Sequence, residues 1–269
     1  AGKFSSSSEE SLLGFTDKLK TNRKLFPEGE NTVDAIIWEA KIHLIQAVAA
    51  GKSEKMAPVN LLALFLYTSH PDIFTQVNLT LASWQSSGSG AVAASGKSAP
   101  GKGEQQTSQL WKQYVQCLYR SLSLLPNHED EIYRTVSGQL DPKEYTIGSE
   151  ISWNAFSVAS REWNNLTAWT NESAKSDPKT KRGIIFIIQP KTAKCIDQYS
   201  RFPVESEVVI LPGTRFQVKN LYVASIIAFG QANIRTSTYL AKENDLAKAA
   251  AGETSIIVEL VEIAGATAK

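Results

Sequence analysis

The apolar residues of this 269-residue chain change period once, between Leu125 and Ile132, and that change constrains the fold more than any other feature. Before it, apolar residues recur at helical spacing. Ser7 and Glu10 have the spacing of a capping box, and Leu12, Phe15 and Leu19 follow on one face. From Asn31, the residues Val33, Ile36, Ile37, Ala40, Leu44 and Val48 mark a longer helix that stops at Gly51. Pro58 opens a segment, Leu61–Tyr67, that is apolar nearly all round and so predicts a fully buried helix. Pro71 opens the next, with Phe74, Val77, Leu81 and Trp84 facing inward. A Gly/Ser/Ala/Lys tract at 85–104 reads as a mobile loop. Trp111, Tyr114, Val115, Leu118, Leu122 and Leu125 then predict a last helix, closed by Pro126.

From Ile132 onward the period is that of strands. Residues Ile132 to Val136 alternate, with Tyr133 and Thr135 opposite Arg134. Ile151, Trp153 and Ala155 alternate with Ser152 and Asn154, and a continuous Ile-Ile-Phe-Ile-Ile run after Gly183 predicts a central strand buried on both faces. The segments 207–211, 214–219, 221–229 and 254–263 read as strands too. Helices first and strands after predict an α+β fold. We expect a single domain over 1–269, with an N-terminal helical lobe (1–125) packed on a mixed, mainly antiparallel two-sheet β core (126–264).

Composition removes several function classes. A net charge of +1 gives no electrostatic reason to expect nucleic acid or an anionic membrane as partner. The longest apolar run, Leu61–Tyr67, is far too short to span a bilayer. His43, His70, His128, Cys117 and Cys195 lack metal-ligand spacing, so no metal is expected, and the two cysteines read as buried free thiols rather than a disulfide. No signal peptide is present, although a start at Ala-Gly without Met leaves a processed leader open. Sequons at Asn78, Asn165 and Asn171 are about as many as the composition gives by chance. The compartment therefore stays open between secreted and cytoplasmic, for a chain expected to be a soluble monomer with a disordered tail after Ile263. Gly90–Ser98 imitates a phosphate-binding loop but has five residues between its glycines instead of four, and it follows a helix, so it reads as a decoy.

Glu205 and Glu207 stand two apart ahead of an apolar run. Strand period would put both carboxylates on one face, about 6–7 Å apart along the chain. Like charges that close belong at a wet edge or around a cation. On spacing alone, two solvated glutamates are the better reading. The neighbouring residues change this. Ser200-Arg-Phe202-Pro-Val-Glu205-Ser-Glu207-Val, followed by Pro212-Gly-Thr-Arg-Phe-Gln-Val218, resembles the catalytic segment of arginine-specific mono-ADP-ribosyltransferases, the Arg-Ser-Glu class of toxins and ecto-enzymes. Leu61–Thr68 and Pro71–Asn78 resemble the same family's helical lobe. Arg134, in Ile-Tyr-Arg-Thr-Val, is similar to its Tyr-Arg-Gly arginine. Trp153-Asn-Ala-Phe156-Ser157-Val158-Ala159-Ser160 is similar to its Trp-x-x-Phe-x-Ser-Thr-Ser strand, departing at Val158 and Ala159.

The resemblance implies the family's α+β fold and transfer of ADP-ribose from NAD, consumed as substrate, to an arginine of an acceptor protein, as in a toxin or effector. It assigns Glu207 as the catalytic carboxylate and Glu205 as the selector of arginine. Arg134, Trp153, Phe156, Ser157 and Ser160 would bind NAD, with Arg134 on the pyrophosphate. Tyr199 and Phe202, in the loop before Glu205, would contact the acceptor. The family's first serine holds the catalytic glutamate, and Val158 cannot. Either Ser157 reaches in through a bulge, or another donor holds Glu207, or catalysis is weakened. Two alternatives stay open, an NAD glycohydrolase and an inactive module that binds NAD or a partner.

Overall fold

The computed structural model describes residues 30–51, 56–88, 102–137, 145–165, 183–224, 239–240 and 255–263, together with Gly14. The first expected helix (Leu12, Phe15, Leu19) and the Gly90–Ser98 segment lie outside them. The chain divides into two compact units: residues 1–126 with 198–203, and residues 127–197 with 204–269.

The first unit is helical: α1 (Glu30–Ala49), α2 (Pro58–Ser69), α3 (Pro71–Gly88) and α4 (Lys102–Ser123). α1 buries Ile36, Ile37 and Ala40 and ends ahead of Gly51, whose φ of 74° is the left-handed stop that glycine adopts without strain. α2 is buried from Val59 to Tyr67, as its unbroken apolar run requires. α3 turns Ile73 and Val77 inward and continues four residues into the tract read as a loop. In α4 every inward residue of the sequence pattern is buried, and the Tyr114 hydroxyl donates to the Ala63 carbonyl at 2.8 Å. Among the described residues no helix is long and apolar enough to cross a membrane.

The second unit carries β1 (Asn127–His128), β2 (Ile132–Ser137), β3 (Glu150–Trp153), β4 (Ser157–Ser160), β5 (Gly183–Gln189), β6 (Ala193–Cys195), β7 (Glu207–Ile210), β8 (Thr214–Ala224), β9 (Tyr239–Leu240) and β10 (Ser255–Glu262). Their order is β1-β6-β7-β4-β2-β5-β10-β8-β3, with β9 on β8, and only β5 and β10 are parallel. The expected α+β class with a mainly antiparallel core holds. The two expected sheets are instead joined into one hydrogen-bonded path. The join is narrow: β2 and β4 share a single residue pair, Tyr133 with Ser160. Central β5 is covered on both faces, by a large cluster around Phe186 and a smaller one around Ile185 and Ile257. The segments expected as separate strands at 214–219 and 221–229 are one strand, β8, bulged at Lys219 where the register with β10 shifts.

Glu262, on β10, is a buried carboxylate that holds the β5–β6 turn by accepting bonds from the Lys191 and Thr192 amides and the Thr192 hydroxyl. Glu262→Ala is expected to cost about 2 kcal/mol, seen as a fall of roughly 5 °C in Tm. An unchanged melting curve would deny the carboxylate this role.

Candidate active site

The two glutamates do not share a strand face. Pro203 opens a 3-10 turn that ends at Glu205, and Ser206 then takes a left-handed φ of 49° before β7 begins at Glu207. That conformation costs a serine roughly 1 kcal/mol and breaks the alternation that strand period assumed. The pair is thereby split into one carboxylate on the sheet and one on a turn.

Glu207 is the fixed member. It is only 7% exposed, its residue pairs directly with Ser160 across β7 and β4, and its carbonyl accepts from the Ile196 amide at 3.0 Å. Directly opposed residues in an antiparallel pair share a face, so Ser160 and Glu207 lie side by side. Glu205 is held through its backbone. Its carbonyl accepts from the Ser160 hydroxyl at 2.8 Å and from the Asn165 amide nitrogen at 2.7 Å. The Ser206 carbonyl accepts from the Arg161 amide at 3.1 Å, and the Arg161 guanidinium pairs with Asp197 at 2.5 Å.

Ser157 does not reach in. It stays in register opposite Ile210, on the face away from Glu207, and its hydroxyl donates to the Ala155 carbonyl at 3.4 Å. No bulge compensates for Val158 here. Phe156 sits in the bend between β3 and β4 and is enclosed in the core at 1% exposure. Arg134 donates to the Val158 carbonyl, and its guanidinium carbon lies 5.8 Å from the centre of the Trp153 ring, in cation–π range. Trp153 is itself set edge-on to Phe186 at 5.1 Å. Its carbonyl accepts from the Gly213 amide in the Pro212-Gly213 turn, where a glycine φ of 84° and the Thr214-to-Leu211 bond make a type II turn. Arg134 thus touches both Trp153 and the Val158 carbonyl of β4, and Ser160 meets the two glutamate backbones two residues further on.

Tyr199 and Phe202 belong to the helical unit. Tyr199 is 6% exposed, so in this conformation its ring is a core anchor rather than a surface for an acceptor. Phe202 is 43% exposed and Val204 84%. The segment they flank is tied down by Arg201, which sequence reasoning passed over. Its amide donates to the Thr68 hydroxyl at 2.9 Å, and its guanidinium donates to the Ser69 carbonyl at 2.9 Å and pairs with Glu39 at 2.8 Å. Asn165 was read only as a sequon. Neither residue has a motif that would have marked it.

Both cysteines are free, and burial raises both thiols above their usual pKa, so they rest protonated. His128, at the edge on β1, has its pKa lowered by burial. Among the described residues no cluster of His, Cys, Asp or Glu is placed to hold a metal ion.

No protein-family model matches this sequence, and no curated protein matches it either. Solved structures do. The type III effector XopAI from Xanthomonas axonopodis pv. citri is 17% identical, aligned over 95% of this chain and 88% of its own, with a TM-score of 0.54. The ADP-ribosyltransferase HopU1 of Pseudomonas syringae pv. tomato is 14% identical over 97% and 98%, with a TM-score of 0.53. Exoenzyme S from Pseudomonas aeruginosa, solved with human 14-3-3 protein beta and carba-NAD, is 11% identical over 96% and 93%, with a TM-score of 0.51. At these identities the likeness is one of fold. This chain has the ADP-ribosyltransferase fold.

Proposed function

We propose that this protein transfers ADP-ribose from NAD to an arginine side chain of an acceptor protein and releases nicotinamide. The observation that carries the reading is the split glutamate pair: Glu207 buried on β7 beside Ser160, and Glu205 one left-handed residue away on a turn. The fold shared with the ADP-ribosyltransferase HopU1 and with exoenzyme S, solved with carba-NAD, supports it.

The chemistry uses that split. Breaking the bond between nicotinamide and ribose C1′ leaves the electron pair on a neutral leaving group and positive charge on the ribose, as in glycoside cleavage. A rigid carboxylate, Glu207, stabilises that charge and accepts the ribose 2′-hydroxyl proton in a hydrogen bond. No general acid is needed. The attacking guanidinium is protonated at any cellular pH and is a poor nucleophile. Glu205 orients it and takes its proton as the new N–C1′ bond forms. Arg134, with its permanent planar charge, suits the pyrophosphate. Phe202, exposed just before Pro203, suits an acceptor surface.

Val158 and Ala159, standing where the family has serine and threonine, favour a second reading, an inactive NAD-binding module. Radiolabelled NAD with and without agmatine separates the readings. We expect labelled agmatine together with free nicotinamide. Nicotinamide without labelled agmatine would point to a glycohydrolase, and neither product would favour the binding module.

A further inference from the structure

The structure assigns Asn165 as the positioning residue of the turn before β7, a clamp that fixes the backbone of Glu205. The inference rests on the transferase reading for its kinetic consequence, but not for its structural one.

The argument begins with a count of hydrogens. A primary amide nitrogen has two. Asn165 Nδ2 lies 2.7 Å from the Glu205 carbonyl, 3.1 Å from the Ser160 hydroxyl and 3.4 Å from the Val204 carbonyl. Three oxygens surround it, so only the nitrogen end of the amide suits this position. The Ser160 hydroxyl spends its one hydrogen on the Glu205 carbonyl and accepts from Asn165 Nδ2 and, at 3.1 Å, from the Glu162 amide. Its capacity is complete. The Glu205 carbonyl receives two bonds and its two lone pairs are also used. Ser160, Asn165 and Glu205 therefore close a triangle that needs no water.

Asn165 is itself well anchored. It lies in a helical turn that begins at Trp163, whose ring meets Tyr133 edge-on at 5.1 Å and packs on the Ile185–Ile257 cluster. Tyr133 is the residue that pairs with Ser160 across the junction of β2 and β4. The clamp thus hangs from the sheet at the same point that carries Glu207. A turn with a left-handed serine at its centre needs such ties, because nothing in the local sequence favours that conformation.

The clamp grips Glu205 directly, whereas Glu207 is fixed by its own strand pairing. Losing Asn165 should therefore harm proton removal from the acceptor more than it harms cleavage of NAD. A purely structural loss would lower both in proportion. This difference makes the role testable.

The test compares the full chain with Asn165→Ala and with Asn165→Asp, which keeps the size of the side chain but removes both hydrogens. The readouts are agmatine labelling, nicotinamide release, and hydrogen exchange of the peptide spanning Val204–Glu207. We expect the ratio of transfer to hydrolysis to fall at least tenfold in both variants with KM for NAD unchanged. Exchange of that peptide should rise about tenfold while peptides of α2 and α4 keep their rates. If the ratio and the exchange both stay within twofold of the parent, the clamp is refuted. Should the parent chain release nicotinamide without labelling agmatine, the arginine-transferase reading falls, and the exchange measurement alone then decides for or against the clamp.

Discussion

Glu207→Gln is expected to reduce nicotinamide release by about a thousandfold or more, equivalent to roughly 4 kcal/mol of lost transition-state stabilisation. Glutamine keeps the volume of a side chain that is almost wholly buried and removes the negative charge that the developing ribose cation requires. The backbone of residue 207 is held by its register with Ser160 and by the Ile196 amide, neither of which depends on the carboxylate. Tm should accordingly move little. The measurement is single-turnover release of labelled nicotinamide beside a thermal melt. Retention of full turnover in a folded variant would remove Glu207 from the chemistry.

The second large effect is a redirection rather than a loss. Glu205→Ala should lower agmatine labelling by about a hundredfold or more, the scale on which a positioned general base contributes, while hydrolysis of NAD stays within a few-fold of the parent. The structural basis is that Glu205 is held by main-chain bonds to its carbonyl. The substitution keeps both of those main-chain bonds. Assaying both products in one reaction gives the ratio without reference to enzyme concentration. Parallel falls in both products would mean that the two carboxylates do not have separate roles.

Most of the fold was legible because the apolar periods are unambiguous. The inward residues of α4 and the run in β5 were named from spacing alone and are buried as expected, with Ile187 partly so. What could not be read were elements too short to show a period, such as β1 and β6, and the continuity of β8, whose bulge at Lys219 looks in sequence like a break between strands. The one-pair junction between β2 and β4 is a matter of register, which no local pattern encodes.

Residues for the candidate site could be named by resemblance, whereas their geometry could not be read. The strand period assigned to Glu205 and Glu207 ignored Pro203, which pre-sets a turn rather than a strand. Asn165 and Arg201 escaped because each acts on a distant backbone, Asn165 across 40 residues to Glu205 and Arg201 across 132 to Ser69. Tyr199 was chosen as an aromatic next to the motif, and burial gives it to the core.

Asn165 also opens Asn165-Leu-Thr, a sequon. Attachment of a sugar converts the primary amide into a secondary one, with a single hydrogen and a bulky substituent in its place. The nitrogen then has one hydrogen left for the Glu205 carbonyl and the Ser160 hydroxyl, and the sugar stands where the other hydrogen was. In a compartment that glycosylates nascent chains, closure of the turn and addition of the oligosaccharide would be rival claims on one atom, settled by whichever came first. The population of molecules in which the Glu205 turn is tied would then be fixed during biosynthesis.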